Sequence, residues 1–224
     1  MPHVPVRHVI YLHGFASSPG SSKARRFARE LERVGVGMSC PDFNEPSFET
    51  LTVTRMLEQT RAAIEAAGSG PIALIGSSLG AFVAVHAAAA ATVDRLILLA
   101  PALDFGGNRL RQLGPHGIDA WRARGALRVF HYALNRPADV GFALYEDAAR
   151  YDAFTVDLTR PALVFQGTRD ASVDPSMVAR WASSRPAVDL RMVDDEHQLT
   201  SSMDEIWEAS RVFLGIRARR PAER

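Results

Sequence analysis

Six short apolar runs, each stopped by a turn or loop residue and set apart by longer segments, constrain this chain more than any other feature. They are Arg7–His13 (RHVIYLH) before Gly14, Val36–Cys40 before Pro41, Pro71–Ile75 before Gly76, and Arg95–Leu99 shortly before Pro101. Ala162–Gln166 before Gly167 and Asp189–Val193 before an acidic loop complete the set. Their length and stops read as buried strands. The segments between several of them carry apolar residues at helical spacing. Ala24, Phe27, Ala28, Leu31 and Val34 define one helix, with Ser21 or Ser22 as cap and Gly35 as stop. Phe48–Ala67 reads as a second, with Val53, Met56, Leu57, Thr60 and Ile64 on one face and Gly68 closing it. Phe82–Ala91 is a small-residue helix suited to close packing on a sheet. Ile206, Trp207, Ser210, Phe213 and Leu214 mark a last one. Strand–helix alternation of this kind predicts an α/β fold: a mostly parallel sheet of about six strands with helices on both faces.

Asp104–Thr159 breaks the alternation, separating two strands by more than fifty residues with helix-like pieces at Asp119–Leu134 and Val140–Arg150. The expectation is a single domain over residues 1–224 with residues 104–159 inserted as a small helical cap. The length of 224 residues bounds the chain to one large or two small domains. With 47% apolar and 23% charged residues, disorder and coiled coil fit poorly. The balance of 26 basic against 25 acidic residues offers no field that calls for nucleic acid. Lys23 is the only lysine. Cys40, the only cysteine, excludes a disulfide within the chain and a cysteine-based zinc site. Met1–Arg7 contains no signal-like apolar core, and no run approaches the 18 residues of a membrane span. A soluble, cytoplasmic protein is therefore expected, and the tail Arg217–Arg224 reads as a solvated end.

In a parallel sheet the chemistry belongs in the loops after the strand carboxyl ends. Gly76-Ser77-Ser78-Leu79-Gly80 lies between an apolar strand and a small-residue helix, the context that makes G-x-S-x-G a nucleophile elbow. The glycines leave room for a tight turn, and the Leu79 N–H at the helix start can face an oxyanion. Ser78 holds the central position; Ser77 reads as buried or locally bonded. A serine hydroxyl needs a base, and the base needs an orienting carboxylate. Asp170 follows the fifth strand and His197 the sixth, giving the order serine, acid, histidine. Asp174 precedes Pro175 and fits a helix cap instead. His86 falls within the helix after Ser78, whereas His116 and His131 lie in the insertion, within possible reach of substrate. His13-Gly14-Phe15 ends the first strand, where Phe15 is the natural second oxyanion donor and His13 an anchor for the loop. Neither G-x-x-x-x-G-K-[ST] nor G-x-G-x-x-G is present, which argues against nucleotide binding.

The stretches Tyr11–Gly35 (YLHGFASSPGSSKARRFARELERVG) and Gly76–Ala84 (GSSLGAFVA) resemble the α/β-hydrolase superfamily, and within it the small YqiA-type esterases. That resemblance implies Ser78 as nucleophile, His197 as base, Asp170 as acid, and Phe15 and Leu79 as oxyanion donors. It implies a compact form without the usual first two strands, and hydrolysis of small-molecule carboxylic esters or thioesters with no metal or organic cofactor. The insertion is longer than a minimal member needs. Within it, Asp104–Arg136 carries six arginines (Arg109, Arg111, Arg122, Arg124, Arg128, Arg136) against Asp104 and Asp119, which suits either a solvated face or attraction of an anionic acyl substrate. A ligand-binding module without catalysis, C–C bond hydrolysis and perhydrolysis are the alternatives the same residues leave open.

Overall fold

The computed structural model describes residues 4–106 and 113–216. Its elements run β1 (His8–Leu12), α1 (Ser22–Arg33), β2 (Gly37–Ser39), α2 (Val53–Ala66), β3 (Ile72–Ser77), α3 (Leu79–Ala90) and β4 (Arg95–Leu99). There follow α4 (Gly114–Arg124), β5 (Ala126–His131), β6 (Arg136–Gly141), α5 (Ala143–Ala148), β7 (Ala162–Gly167), α6 (Pro175–Ser183), β8 (Val188–Val193) and α7 (Met203–Phe213). Six strands form one sheet in the order β2-β1-β3-β4-β7-β8, and every neighbouring pair is parallel.

The period of two along each strand divides the interior into two cores. Ile10, Leu12, Leu74, Leu96, Leu98 and Val164 face a layer built by α2, α3 and α6, which includes Met56, Phe82 and Trp181. Val9, Tyr11, Ile75, Ile97, Leu99 and Phe165 face the other way, onto Phe27 and Leu31 of α1 and Trp207 of α7. This two-sided burial is why the strands read as unbroken apolar runs rather than alternating ones.

Two expectations need correction. The helix expected over Phe48–Ala67 is broken: a 3-10 turn covers Phe48–Thr50, and α2 begins only at Val53. Thr52 is extended and its hydroxyl accepts the Arg55 N–H, so a β-branched cap starts the helix where periodicity alone ran through. The carboxylate of Asp147 in α5 reinforces that start, accepting the Thr54 N–H at 2.7 Å and its hydroxyl at 2.6 Å.

The second correction concerns the segment between β4 and β7, which is not purely helical. Beside α4 and α5 it carries an antiparallel hairpin of β5 and β6. Gly125, at φ 72°, ends α4 in a left-handed turn. Arg128 and Phe130 then point outward while His131 is buried, a strand pattern inside a stretch whose sequence reads as helical. The indole of Trp121 donates to the Val140 carbonyl at 3.0 Å and locks α4 onto the hairpin. Arg109 and Arg111 lie outside the described residues, as does the tail Arg217–Arg224. Three other arginines of this segment are paired, Arg122 with Asp119, Arg128 with Asp139 and Arg150 with Asp147.

Candidate active site

The turn from β3 into α3 is strained at one residue. Ser78 sits at φ 53° and ψ −115°, a conformation a residue with a β-carbon occupies only when its surroundings over-determine it. Its N–H donates to the Leu99 carbonyl at 2.9 Å, and its carbonyl accepts the Ala102 N–H at 3.2 Å. The flanking glycines are a steric necessity. A β-carbon at 76 would meet the Ala81 Cα at 2.4 Å, and one at 80 would meet the Leu12 carbonyl oxygen at 2.0 Å. The turn can therefore nest against β1 only with glycine at both positions. Ser78 is also the cap residue of α3, yet its hydroxyl makes no capping bond. Ser77 points into the interior and is buried.

The free hydroxyl meets the loops after β7 and β8. His197 Nε2 lies 3.1 Å from Ser78 Oγ, and His197 Nδ1 lies 2.8 Å from Asp170 Oδ2. An ionised carboxylate only accepts, so the Nδ1 proton faces Asp170, and Nε2 is left with a lone pair toward the serine O–H. Asp170 itself is enclosed. Its Oδ1 accepts the N–H groups of Ser172 and Val173, each at 2.8 Å, and its Oδ2 also accepts Gln166 Nε2 at 3.0 Å. Burial pushes its carboxyl up, but the bonds from His197, Val173 and Gln166 outweigh that, and the net position is below the usual carboxylate range. Asp174 caps α6 through a bond from the Ser176 N–H.

The loop after β1 passes against the same turn. A β-carbon at Gly14 would stand 3.4 Å from that of Ser78. Neither the Phe15 nor the Leu79 N–H has a hydrogen-bond partner among the described residues. His13 lies beneath this loop. Its Nδ1–H donates to the Gly14 carbonyl at 2.9 Å, and its Nε2 accepts the Phe43 N–H at 3.0 Å. Burial lowers the His13 pKa, which suits a neutral ring that both donates and accepts.

Sequence reasoning missed two further supports of the loop. Asn44 donates to the Ser17 carbonyl at 2.8 Å and is itself met by His131 Nε2 at 3.0 Å. The Tyr132 N–H at the hairpin end donates to the Ala16 carbonyl at 2.9 Å. His131 is thus a buried brace, whereas His116 is exposed and His86 packs edge-on against Phe82 and Tyr151. A short polar side chain after a proline-ended strand is too common a signal to have singled out Asn44.

A parallel sheet, a strained serine at a strand-to-helix turn and a histidine–aspartate pair at the next strand ends define an α/β-hydrolase fold. The chain belongs to UPF0227, described as an uncharacterised protein family, whose model matches residues 8–214. Solved structures agree on the fold. A candidate hydrolase from Agrobacterium vitis S4 is 24% identical over 94% of this chain and 88% of its own, with a TM-score of 0.83. Est1E from Butyrivibrio proteoclasticus, crystallised with ferulic acid, is 19% identical over 94% of this chain and 88% of its own, at 0.81. Monoacylglycerol lipase from Paleococcus ferrophilus is 15% identical over 95% of each chain, at 0.74. A search of curated proteins found no match. Among the described residues no helix is long and apolar enough to cross a membrane.

Proposed function

We propose that this protein is a serine hydrolase that cleaves small-molecule carboxylic esters or thioesters through an acyl-enzyme. The observation that carries the reading is His197, whose two ring nitrogens meet Ser78 Oγ and Asp170 Oδ2 at 3.1 and 2.8 Å. In this reading the Ser78 oxygen attacks the acyl carbon while His197 Nε2 takes its proton. Asp170 holds the ring in the required tautomer and stabilises it once it is positive. The N–H groups of Phe15 and Leu79 receive the oxyanion. His197 then protonates the departing alcohol or thiol, and on the second half-reaction it deprotonates the water that releases the acid. No step calls for a metal or an organic cofactor.

Residues 104–159 act as a cap in this reading. Their hairpin end touches the loop of Phe15 through the bond from Tyr132 to Ala16. The pairing of Arg122 and Arg128 with aspartates leaves the anionic-substrate idea weaker than the sequence suggested. A panel of p-nitrophenyl esters and acyl thioesters tests the assignment. The expected result is turnover with an acyl adduct on Ser78 that Ser78→Ala abolishes. Folded protein that turns over none of them, yet binds an ester, would favour the binding-module alternative.

A further inference from the structure

The only lysine of the chain sits where the two halves of the site meet. Lys23 is the second residue of α1, directly after the loop that carries Phe15. Its ammonium donates to the Gln198 carbonyl at 2.9 Å and to the Gln198 side-chain oxygen at 3.2 Å. Gln198 follows His197 in the chain.

The upstream side of the histidine loop is held by other means. Asp195 is buried; its carboxylate accepts the N–H groups of Glu196 at 2.8 Å and Ser202 at 2.9 Å. Its carbonyl accepts the Arg169 N–H at 3.0 Å. On the downstream side, Leu199 is buried at φ 55°, so the chain turns sharply one residue past Gln198. Lys23 is what holds Gln198 itself.

We propose that Lys23 is a positioning residue of the Ser78 site, clamping Gln198 so that His197 stays aligned between Ser78 and Asp170. The inference rests on the serine-hydrolase reading and adds a part to it. A cation beside this loop does not favour the imidazolium that serine attack creates, so what Lys23 contributes is geometry. Small displacements of a base are costly because proton transfer needs its lone pair within hydrogen-bond reach.

Charge strengthens the clamp, since a bond from an ammonium is roughly twice as strong as a neutral one. Burial lowers the Lys23 pKa to about 8, against the pull of Asp170 and Asp195, the acidic groups that face it. The loop it grips also carries Asp194, paired with Arg169, together with Glu196 and His197. On its own helix, Arg26 is engaged by Glu30 and by Asp204. The clamp therefore weakens above that pH.

The test is the rate at which a fluorophosphonate probe labels Ser78 in wild type, Lys23→Met and Lys23→Arg, from pH 6 to 9.5, with thermal melts of each. Lys23→Met is expected to label about tenfold more slowly or worse at pH 7, with Lys23→Arg restoring most of the rate. Wild type should slow as pH rises through about 8, and Lys23→Arg should not. Comparable melts for the variants separate this effect from unfolding. Labelling of Lys23→Met at the wild-type rate, or the same alkaline fall in wild type and Lys23→Arg, would overturn the inference alone. Wild type that takes no label would overturn the hydrolase reading and this inference with it.

Discussion

His197 Nε2 and Ser78 Oγ are 3.1 Å apart although 119 positions separate the two residues in the chain. The distance results from a sheet whose strands β3, β7 and β8 all end on the same side, each delivering one loop to a common edge. The hydroxyl is available because Ser78 caps α3 without spending its side chain there.

The carboxylate partner can be separated from its neighbour. Asp170→Asn keeps the shape but removes the acceptor that holds the Nδ1 proton. It should lower turnover about 10³- to 10⁴-fold. Asp174→Asn preserves the cap of α6 and should leave turnover within about twofold. Steady-state kinetics on any ester the wild type cleaves reads both, and equal losses would reject the assignment of Asp170.

Glycine 80 carries a steric prediction. Gly80→Ala would put a β-carbon 2.0 Å from the Leu12 carbonyl oxygen, so the turn must move off β1. The expected cost is about 4 kcal/mol or more, read as loss of soluble protein or a large drop in melting temperature. Gly20→Ala, whose nearest neighbour would be the Ser18 hydroxyl at 3.5 Å, should melt like the wild type.

Much of this was legible in the sequence, and the residues say why. Arg95–Leu99 reads as a strand and is one to the residue, because a β-strand buried on both faces leaves a short apolar run with hard stops. Gly76, Ser78 and Gly80 were legible because the turn's sterics admit few alternatives. The β5–β6 hairpin was not. Its residues alternate over too short a stretch, and the helix of α4 runs straight into it, so only Gly125 marked the change. The break before α2 was hidden because Phe48 and Val53 are both buried and continue the apolar pattern across Thr52. Lys23 could be noticed as the lone lysine, but its partner Gln198 lies 175 positions away and no local pattern links them.

His86 should make part of the fold acid-sensitive. Burial lowers its pKa from 6.5 to about 4. Between those values the unfolded chain takes up a proton that the native state refuses. Stability should therefore fall as pH drops through this window, by up to about 3 kcal/mol. Replacing His86 by Gln should flatten the dependence of melting temperature on pH between 6.5 and 4, and an unchanged slope would reject the cause.

His13 should act on position rather than on chemistry. His13→Ala removes both the bond to Gly14 and the acceptor for the Phe43 N–H, freeing the loop of Phe15. A stability loss of about 1–3 kcal/mol is expected, with turnover reduced through kcat more than through KM. Full activity in the folded variant would remove His13 from the support of this loop.

The most direct measurement is the intact mass of the protein after treatment with a fluorophosphonate probe, for wild type, Ser78→Ala and His197→Ala. An activated serine gives a single adduct on wild type, none on Ser78→Ala and a far slower one on His197→Ala. Folded wild type that takes no adduct, or Ser78→Ala that still takes one, would contradict the assignment of Ser78 as the nucleophile.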